Sequence, residues 1–209
     1  MSPFFIVFLS LLVLFLLLTL GICVLAVARR LRPTFSLLPS VGRPSKSRSL
    51  PEFLLLAATA LTWYNVSSCW LAQTIFYPIY PDMAALSPEA FHAYGRAYLT
   101  RLHAIILPGG LMCLAWVLLL WVPHAGLRLW RIWTIVLLCV VFVGITPVPA
   151  GAQDDMYDFG FSPDLYWKLT WSHSVRTVIF TAMGLLSLFS VRDLLTGASH
   201  SALVARGDA

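Results

Sequence analysis

Long uncharged apolar runs constrain this chain more than any other feature of its sequence. Residues 3–28 and 53–80 contain no charged side chain, and further apolar runs cover 103–122, 132–146 and 177–191. A helix needs roughly 20 apolar residues to cross the hydrocarbon core of a bilayer. Only 11% of the residues are charged, whereas soluble domains carry about 25%. The sequence therefore predicts an all-α integral membrane protein with five transmembrane helices.

The gaps between these runs predict the domain organisation. We expect an N-terminal transmembrane anchor helix at 1–28, a basic linker at 29–52, a membrane bundle at 53–192 and a cytoplasmic tail at 193–209. The anchor shows no small-residue cleavage site after a short apolar region, so we interpret it as an uncleaved helix, with a signal peptide as the alternative. The linker is rich in Pro, Ser and basic residues, which favours contact with an anionic membrane surface.

The 14 Lys and Arg residues predict the orientation, because cytoplasmic loops carry most of the positive charge. With the N-terminus outside and the C-terminus in the cytoplasm, ten of them lie on the cytoplasmic side. The four on the other side are Arg96, Arg101, Lys168 and Arg176. We therefore interpret the positive net charge as a topology signal and not as a nucleic-acid surface.

Two predicted outer loops share one layout. Each begins with closely spaced prolines and then contains a Ser-Pro-acid sequence, Ser87-Pro88-Glu89 in the first and Ser162-Pro163-Asp164 in the second. Serine as N-cap, proline at the first helical position and an acid in the first turn predict the start of a helix. The layout favours an antiparallel four-helix bundle made of two related hairpins, with chance similarity as the open alternative.

The second helix start places a charged side chain inside the last helix. A helix from residue 163 to 191 is roughly 43 Å long, and Arg176 then lies roughly 24 Å from Arg192. At that depth arginine must extend outward to the interface or find a partner inside the bundle. His173 and Thr177 lie on the same helix face as Arg176, at i, i+3 and i+4 spacing.

Polar side chains at a similar depth define a candidate site. On the second predicted helix Asn65, Cys69, Gln73 and Tyr77 recur at i+4 steps and form one stripe, for which hydrogen bonding between helices is the structural interpretation. The ligand-binding candidates near the outer leaflet are Gln73, Tyr77, Arg101, His103, His173, Arg176 and Thr177.

Several chemistries would use these residues, and they stay open. His103 and His173 lie on separate helices and suit axial ligation of haem b or a metal ion, although the tight spacing of strong metal motifs is missing. Two arginines suit a phosphate or carboxylate head group, and a histidine beside an arginine suits proton transfer at a quinone. For Arg176 the structural alternative is an interior ion pair with one of three carboxylates: Asp154, Asp155 or Asp158. The catalytic residues, if any, stay unknown.

A set of positions in the bundle also carries a resemblance to a known family. These are Gln73 followed by Tyr77-Pro78, Phe91 and Tyr94, Pro108, Pro147-Val148-Pro149 with Gln153, and Trp171 with Arg176-Thr177. At these positions, the segment from about residue 54 to residue 188 resembles a group of small bacterial four-helix integral membrane proteins that have no assigned activity. The resemblance implies a four-helix bundle in the bacterial inner membrane. The anchor helix and the linker lie outside it.

We therefore expect an accessory or assembly subunit of a larger membrane complex, whose nearly all-apolar anchor helix packs against lipid or against other membrane subunits. The competing hypothesis is a small membrane enzyme or carrier. It would bind a lipid, quinone or haem near the outer leaflet through Arg101, His103, His173 and Arg176. The expected partners are membrane lipids and protein subunits, and no nucleic acid.

Overall fold

The computed structural model describes residues 49–101, 103–122 and 127–207, with the backbone alone at 49, 103–105 and 196–207. All regular structure in these residues is helical, and no strand occurs among them. The all-α class is therefore confirmed for the described part of the chain. The predicted anchor helix and nearly all of the predicted linker lie outside the described residues.

The helices follow one another with short connections. In chain order they are α1 (Ser49–Leu71), α2 (Tyr80–Leu86), α3 (Pro88–Arg101), α4 (His103–Leu119), α5 (Leu129–Ile145), α6 (Pro147–Phe159) and α7 (Pro163–Gly207). A π-helical turn (Ala72–Phe76) and a 3-10 turn (Tyr77–Ile79) join α1 to α2 without a break in the helical path.

Three helical stretches in the described residues are long and apolar enough to cross a membrane. They are Pro88–Leu119, which combines α3 and α4, Leu129–Phe159, which combines α5 and α6, and Pro163–Leu195 of α7. α1 has 23 residues and is roughly 35 Å long, but polar side chains such as Asn65 lower its hydropathy. Length and composition therefore support three of the five predicted spans.

The long helices share one apolar core. α1 lies against α4 and α7, and α5 lies against the same two helices. Leu55, Trp116, Ile135 and Met183, one from each of these four helices, are completely buried where they meet. Since lipid is as apolar as these side chains, close packing and hydrogen bonds between helices hold such a core together.

The prolines that open the two predicted outer loops do not end the helices. The prediction of long loops at these prolines was therefore wrong, because most of both segments is helical. Pro78 lacks an N–H for the helical ladder, and the π and 3-10 turns around it let the chain continue as a helix. Pro147 and Pro149 lie in the first turn of α6, where the missing N–H groups cost no helical hydrogen bond. In the predicted loops, residues 80–101 and 147–177 are helical except at Ser87 and residues 160–162.

The two predicted helix starts are confirmed. α3 begins at Pro88 and α7 at Pro163, and the N–H of Ala90 donates to the Ser87 hydroxyl oxygen at 3.1 Å. α7 continues to Gly207, through most of the segment 193–209 that we predicted as a tail. At 45 residues it is roughly 68 Å long.

An ion pair holds α5 to α7 at the end of the molecule where α5 begins. Arg131 is buried, and its Nη1 donates to Asp193 Oδ2 at 2.7 Å and to the Phe189 carbonyl at 2.9 Å. Arg128, which is exposed, lies 3.2 Å from the same carboxylate oxygen. We interpreted both arginines as topology signals only; Arg131 is in addition a structural contact.

Replacing Gly95 by alanine is expected to destabilise the protein. Gly95 in α3 packs directly on the Tyr157 ring of α6, so an added Cβ would overlap the ring atoms, and such overpacking costs about 1–3 kcal/mol. At Gly144, in α5, a Cβ would meet no neighbour, and Ala is the better helix former. Thermal unfolding in detergent, followed by tryptophan fluorescence, should show a lower midpoint for Gly95→Ala and no decrease for Gly144→Ala. Equal midpoints would contradict the close packing of α3 on α6.

Candidate functional site

The polar side chains of interest lie at the end of the molecule where α1 ends and α7 begins. α2, α3 and α6 surround this end, and their buried side chains form a second core, separate from the one between the long helices. It contains Tyr77, Tyr80, Phe91, Met156, Tyr157 and Leu169. We call this region the tyrosine-rich end.

His173 is the centre of the first polar cluster. It is 4% exposed, and its Nδ1 lies 3.3 Å from the Gln73 amide oxygen. The Tyr77 and His173 rings pack edge-to-face, with 4.8 Å between their centroids. The Thr177 hydroxyl donates to the His173 carbonyl at 3.0 Å. Because an amide oxygen only accepts, the network assigns the ring hydrogen to Nδ1 and leaves Nε2 as an acceptor.

Local backbone geometry helps to place Gln73 in this cluster. Gln73 lies in the π-helical turn Ala72–Phe76, and Tyr77 begins the 3-10 turn that follows. A π turn changes the angular position of every later side chain relative to a regular α-helix, and such turns are frequent at functional sites. Pro78 and Pro81 account for the irregular geometry here, since neither can donate to the helical ladder.

A second cluster joins Tyr80, Gln153 and Tyr157. The two hydroxyl oxygens are 2.6 Å apart, and the Gln153 amide nitrogen donates to each of them at 3.0 Å. All three side chains are buried. Tyr77 connects the clusters, because its ring meets Tyr80 edge-on at 5.5 Å as well as His173. Together they form a continuous polar and aromatic layer across the two turns that join α1 to α2, and across α2, α6 and α7.

Arg176 lies beside this layer, half-buried. Its guanidinium carbon is 5.1 Å from the centroid of Phe142, and the Phe142 ring packs on Phe180 at 4.5 Å. Its Nε is buried and has no hydrogen-bond partner. The guanidinium therefore packs against an apolar aromatic surface.

The predicted ion pair of Arg176 is not found among the described side chains. The ion pairs that the structure describes join Arg128 and Arg131 to Asp193. None of them joins Arg176 to one of the three carboxylates that we considered: Asp154, Asp155 and Asp158.

The structure brings five of the seven predicted site residues together: Gln73, Tyr77, His173, Arg176 and Thr177. Arg101 is the last residue of α3 and is exposed, and no described contact joins it to His173 or Arg176. His103 is the first residue of α4, but its side chain lies outside the described residues.

Sequence reasoning missed the second cluster, although one signal could have found it. Gln73 and Tyr77 are four residues apart, and so are Gln153 and Tyr157, which places each pair on one helix face. The amide of Gln153 also acts on the Tyr98 side chain. We had placed Gln153 and Tyr157 in a loop, where this spacing has no meaning.

The chemistry of the site is that of hydrogen bonding around one cation. Within the described residues no group of three or more His, Cys, Asp and Glu side chains could hold a metal ion. The donors and acceptors present are amides, phenols, an imidazole and a guanidinium. Such a set suits a ligand group with several oxygen atoms.

Comparisons with known proteins find no match. No protein-family profile fits the chain, and neither the curated proteins nor the solved structures contain a match. A functional proposal for this chain is therefore argued from its own side chains and their contacts.

A double-mutant cycle should detect the contact between Tyr80 and Tyr157. Each Tyr→Phe change removes one hydroxyl from a closed set of three hydrogen bonds, and each should lower the free energy of unfolding by about 1–3 kcal/mol. Because the hydroxyls contact each other, the double variant should lose less than the sum of the single losses, with a coupling of about 1 kcal/mol. A parallel cycle of Tyr80→Phe with the distant Thr62→Val should be additive. Additivity in both cycles would contradict the hydroxyl contact.

Proposed function

We propose that this chain is an integral membrane protein that binds the polar group of a membrane-soluble ligand at the tyrosine-rich end. Arg176 carries the proposal, because it is an ionisable side chain inside a membrane-spanning helix whose buried Nε has no acceptor. Ionisable side chains in that setting are costly and usually serve binding or transport. The neighbouring imidazole and amides supply the further polar contacts that an amphiphilic ligand needs.

A four-span antiparallel bundle is the topology that this function requires. α1, the α3–α4 stretch, the α5–α6 stretch and α7 would cross in alternating directions, with the anchor helix as a fifth span. The contacts of α1 and α5 with both α4 and α7 support this arrangement. The distribution of Lys and Arg then places the tyrosine-rich end at the outer leaflet. The bacterial inner membrane is the location that the family resemblance implies.

The unpartnered group at the tyrosine-rich end differs in kind from those elsewhere in the bundle, and this difference supports binding over a purely structural role. Farther from the tyrosine-rich end, several polar side chains of α1 are satisfied within the bundle, and the buried groups of α1 without a partner, Thr59 Oγ1 and Trp63 Nε1, are uncharged. The Trp116 Nε1 donates to the Thr62 hydroxyl at 2.9 Å, and the Asn65 amide donates to the Leu61 carbonyl at 2.7 Å. At the tyrosine-rich end the His173 ring keeps an acceptor nitrogen, and Arg176 keeps a donor. Hydrogen-bonding capacity thus remains where we place the ligand.

The protein should copurify with its ligand through contacts that include Gln73. Organic extracts of protein purified in mild detergent should contain one amphiphile in stoichiometric amount. Gln73→Leu should reduce that amount about 3- to 10-fold, since the change removes one or two hydrogen bonds of the site. Quantitative mass spectrometry of the extracts provides the measurement.

Thr62→Val is the matched control, because it removes a polar group from the same helix about three turns away. It should destabilise the protein without loss of the amphiphile. The proposal fails if no stoichiometric amphiphile is present, or if both variants retain it equally.

A role as an accessory or assembly subunit is the second candidate. The buried core around Leu55, Trp116, Ile135 and Met183 is formed by four helices of the described residues. In the proposed role, the apolar anchor at residues 1–28 packs against other membrane subunits.

Deletion of residues 1–28 tests this role. The truncated chain should keep a thermal unfolding midpoint within a few degrees of the full-length value, but it should no longer migrate with a larger complex. Native electrophoresis of gently solubilised membranes gives the comparison. Migration of the full-length chain as a monomer would contradict the accessory role, and a large loss of stability would assign the anchor to the bundle itself.

A further inference from the structure

We infer that Arg176 anchors an oxyanion-binding site, and that the ligand of the tyrosine-rich end carries a phosphate or carboxylate group. The inference rests on the proposed function and specifies the chemistry of its ligand. It goes further in one respect, because it requires a negative charge on the ligand where the proposed function requires only polarity.

Charge balance is the first argument. Arg176 lies thirteen residues after the start of α7 and nineteen before Leu195, so it is well inside the span Pro163–Leu195. Arginine stays protonated in proteins, and an isolated charge in an apolar medium costs several kcal/mol even after relaxation. The described ion pairs give this cation no carboxylate. A bound oxyanion would supply the missing negative charge.

The geometry around the guanidinium is the second argument. The guanidinium carbon lies over the Phe142 ring at 5.1 Å from its centroid, and Phe180 supports Phe142. Nε is buried without an acceptor. Since the side chain as a whole is half-buried, the remaining N–H donors are the part of the guanidinium that a ligand can reach. Oxyanions with two oxygens accept from such an edge in a bidentate manner.

The neighbouring side chains complete the site. His173 lies one turn before Arg176 on the same helix, and it holds the Gln73 amide oxygen at 3.3 Å. The NH2 group of the same Gln73 amide is a donor that can serve an oxyanion. A neutral carbonyl ligand such as a quinone could accept the same hydrogen bonds, but it would leave the charge of Arg176 uncompensated. An oxyanion satisfies both requirements.

Two sources could supply this oxyanion, the head group of an anionic phospholipid and a soluble phosphate. Both present the same oxygen atoms to Arg176. They differ in that the lipid also has acyl chains, which the apolar surface of the span would contact. The experiment therefore uses one probe for each source and a third probe without the anion.

The test measures thermal unfolding of the purified full-length protein in detergent with each probe added. The probes are dioleoylphosphatidylglycerol, inorganic phosphate, and dioleoylglycerol, which has the same chains without the phosphate. Decylubiquinone serves as the neutral carbonyl probe. The variant is Arg176→Gln, which keeps a polar side chain with an N–H donor and removes the charge. Lys168→Gln is the control, because it removes one positive charge from an exposed position of the same helix.

The expected result is stabilisation by phosphatidylglycerol of the wild type and of Lys168→Gln, with about a 10- to 100-fold weaker apparent affinity in Arg176→Gln. Each shift is compared with the lipid-free midpoint of the same variant, so a lower intrinsic stability of Arg176→Gln does not affect the conclusion. Stabilisation by inorganic phosphate alone, lost in the same variant, would also support the inference and would identify a soluble ligand.

Three outcomes would overturn it. If dioleoylglycerol or decylubiquinone stabilises the wild type and Arg176→Gln equally and the anionic probes do not, the ligand is neutral and only the proposed function survives. If Lys168→Gln loses affinity as much as Arg176→Gln, the lipid is attracted by general surface charge. If no probe shifts the midpoint, neither the oxyanion site nor its lipid ligand stands, and the result of the copurification then decides the proposed function.

Discussion

A polar side chain inside a membrane is costly unless another group satisfies it, and the hydrogen bonds between the helices of this structure follow from that constraint. Its polar contacts join elements that are far apart in the sequence: Thr62 with Trp116, Gln73 with His173, Tyr80 with Gln153 and Tyr157, and Arg131 with Asp193. Apolar packing alone tolerates small rotations of one helix against another. A hydrogen bond does not, so these pairs fix the rotation and the height of each helix.

Local chemistry predicted the beginnings of helices better than their ends. The starts at Pro88 and Pro163 were predictable because an N-cap serine, a proline and an acid act within one turn. The prolines that we took for helix ends depend on context, and sequence alone did not supply that context. A proline in a first turn loses nothing, as at Pro147, and one next to a π turn is accommodated, as at Pro78. The same segments would be loops if the surrounding helices did not cover them.

The candidate site was predictable in part for the same reason. The stripe from Asn65 to Tyr77 follows from helical periodicity, and three of its four residues are buried, with Gln73 half-buried. The position of His173 beside Gln73 also agrees with the depth that we assigned to both. Tyr80 and Tyr157 could not be predicted as a pair, because their contact depends on how α2 and α6 pack. Periodicity indicates which face a residue occupies but not which residue it meets.

The two predicted hairpins share a residue layout, and the positions at which their contacts differ bear on the proposed function. In both predicted hairpins a glutamine and a tyrosine are one turn apart, Gln73 with Tyr77 and Gln153 with Tyr157. The partners of the two glutamines differ, because Gln73 meets His173 whereas Gln153 donates to Tyr80 and Tyr157. The arginines thirteen positions after the Ser-Pro prolines differ, because Arg101 is exposed at the end of α3 whereas Arg176 is half-buried inside α7. The two arginines occupy equivalent positions along the candidate spans Pro88–Leu119 and Pro163–Leu195, so they differ in how far the bundle covers them and not in their depth. Under the proposed function, this asymmetry is the reason that a single ligand lies off the centre of the bundle, beside Arg176.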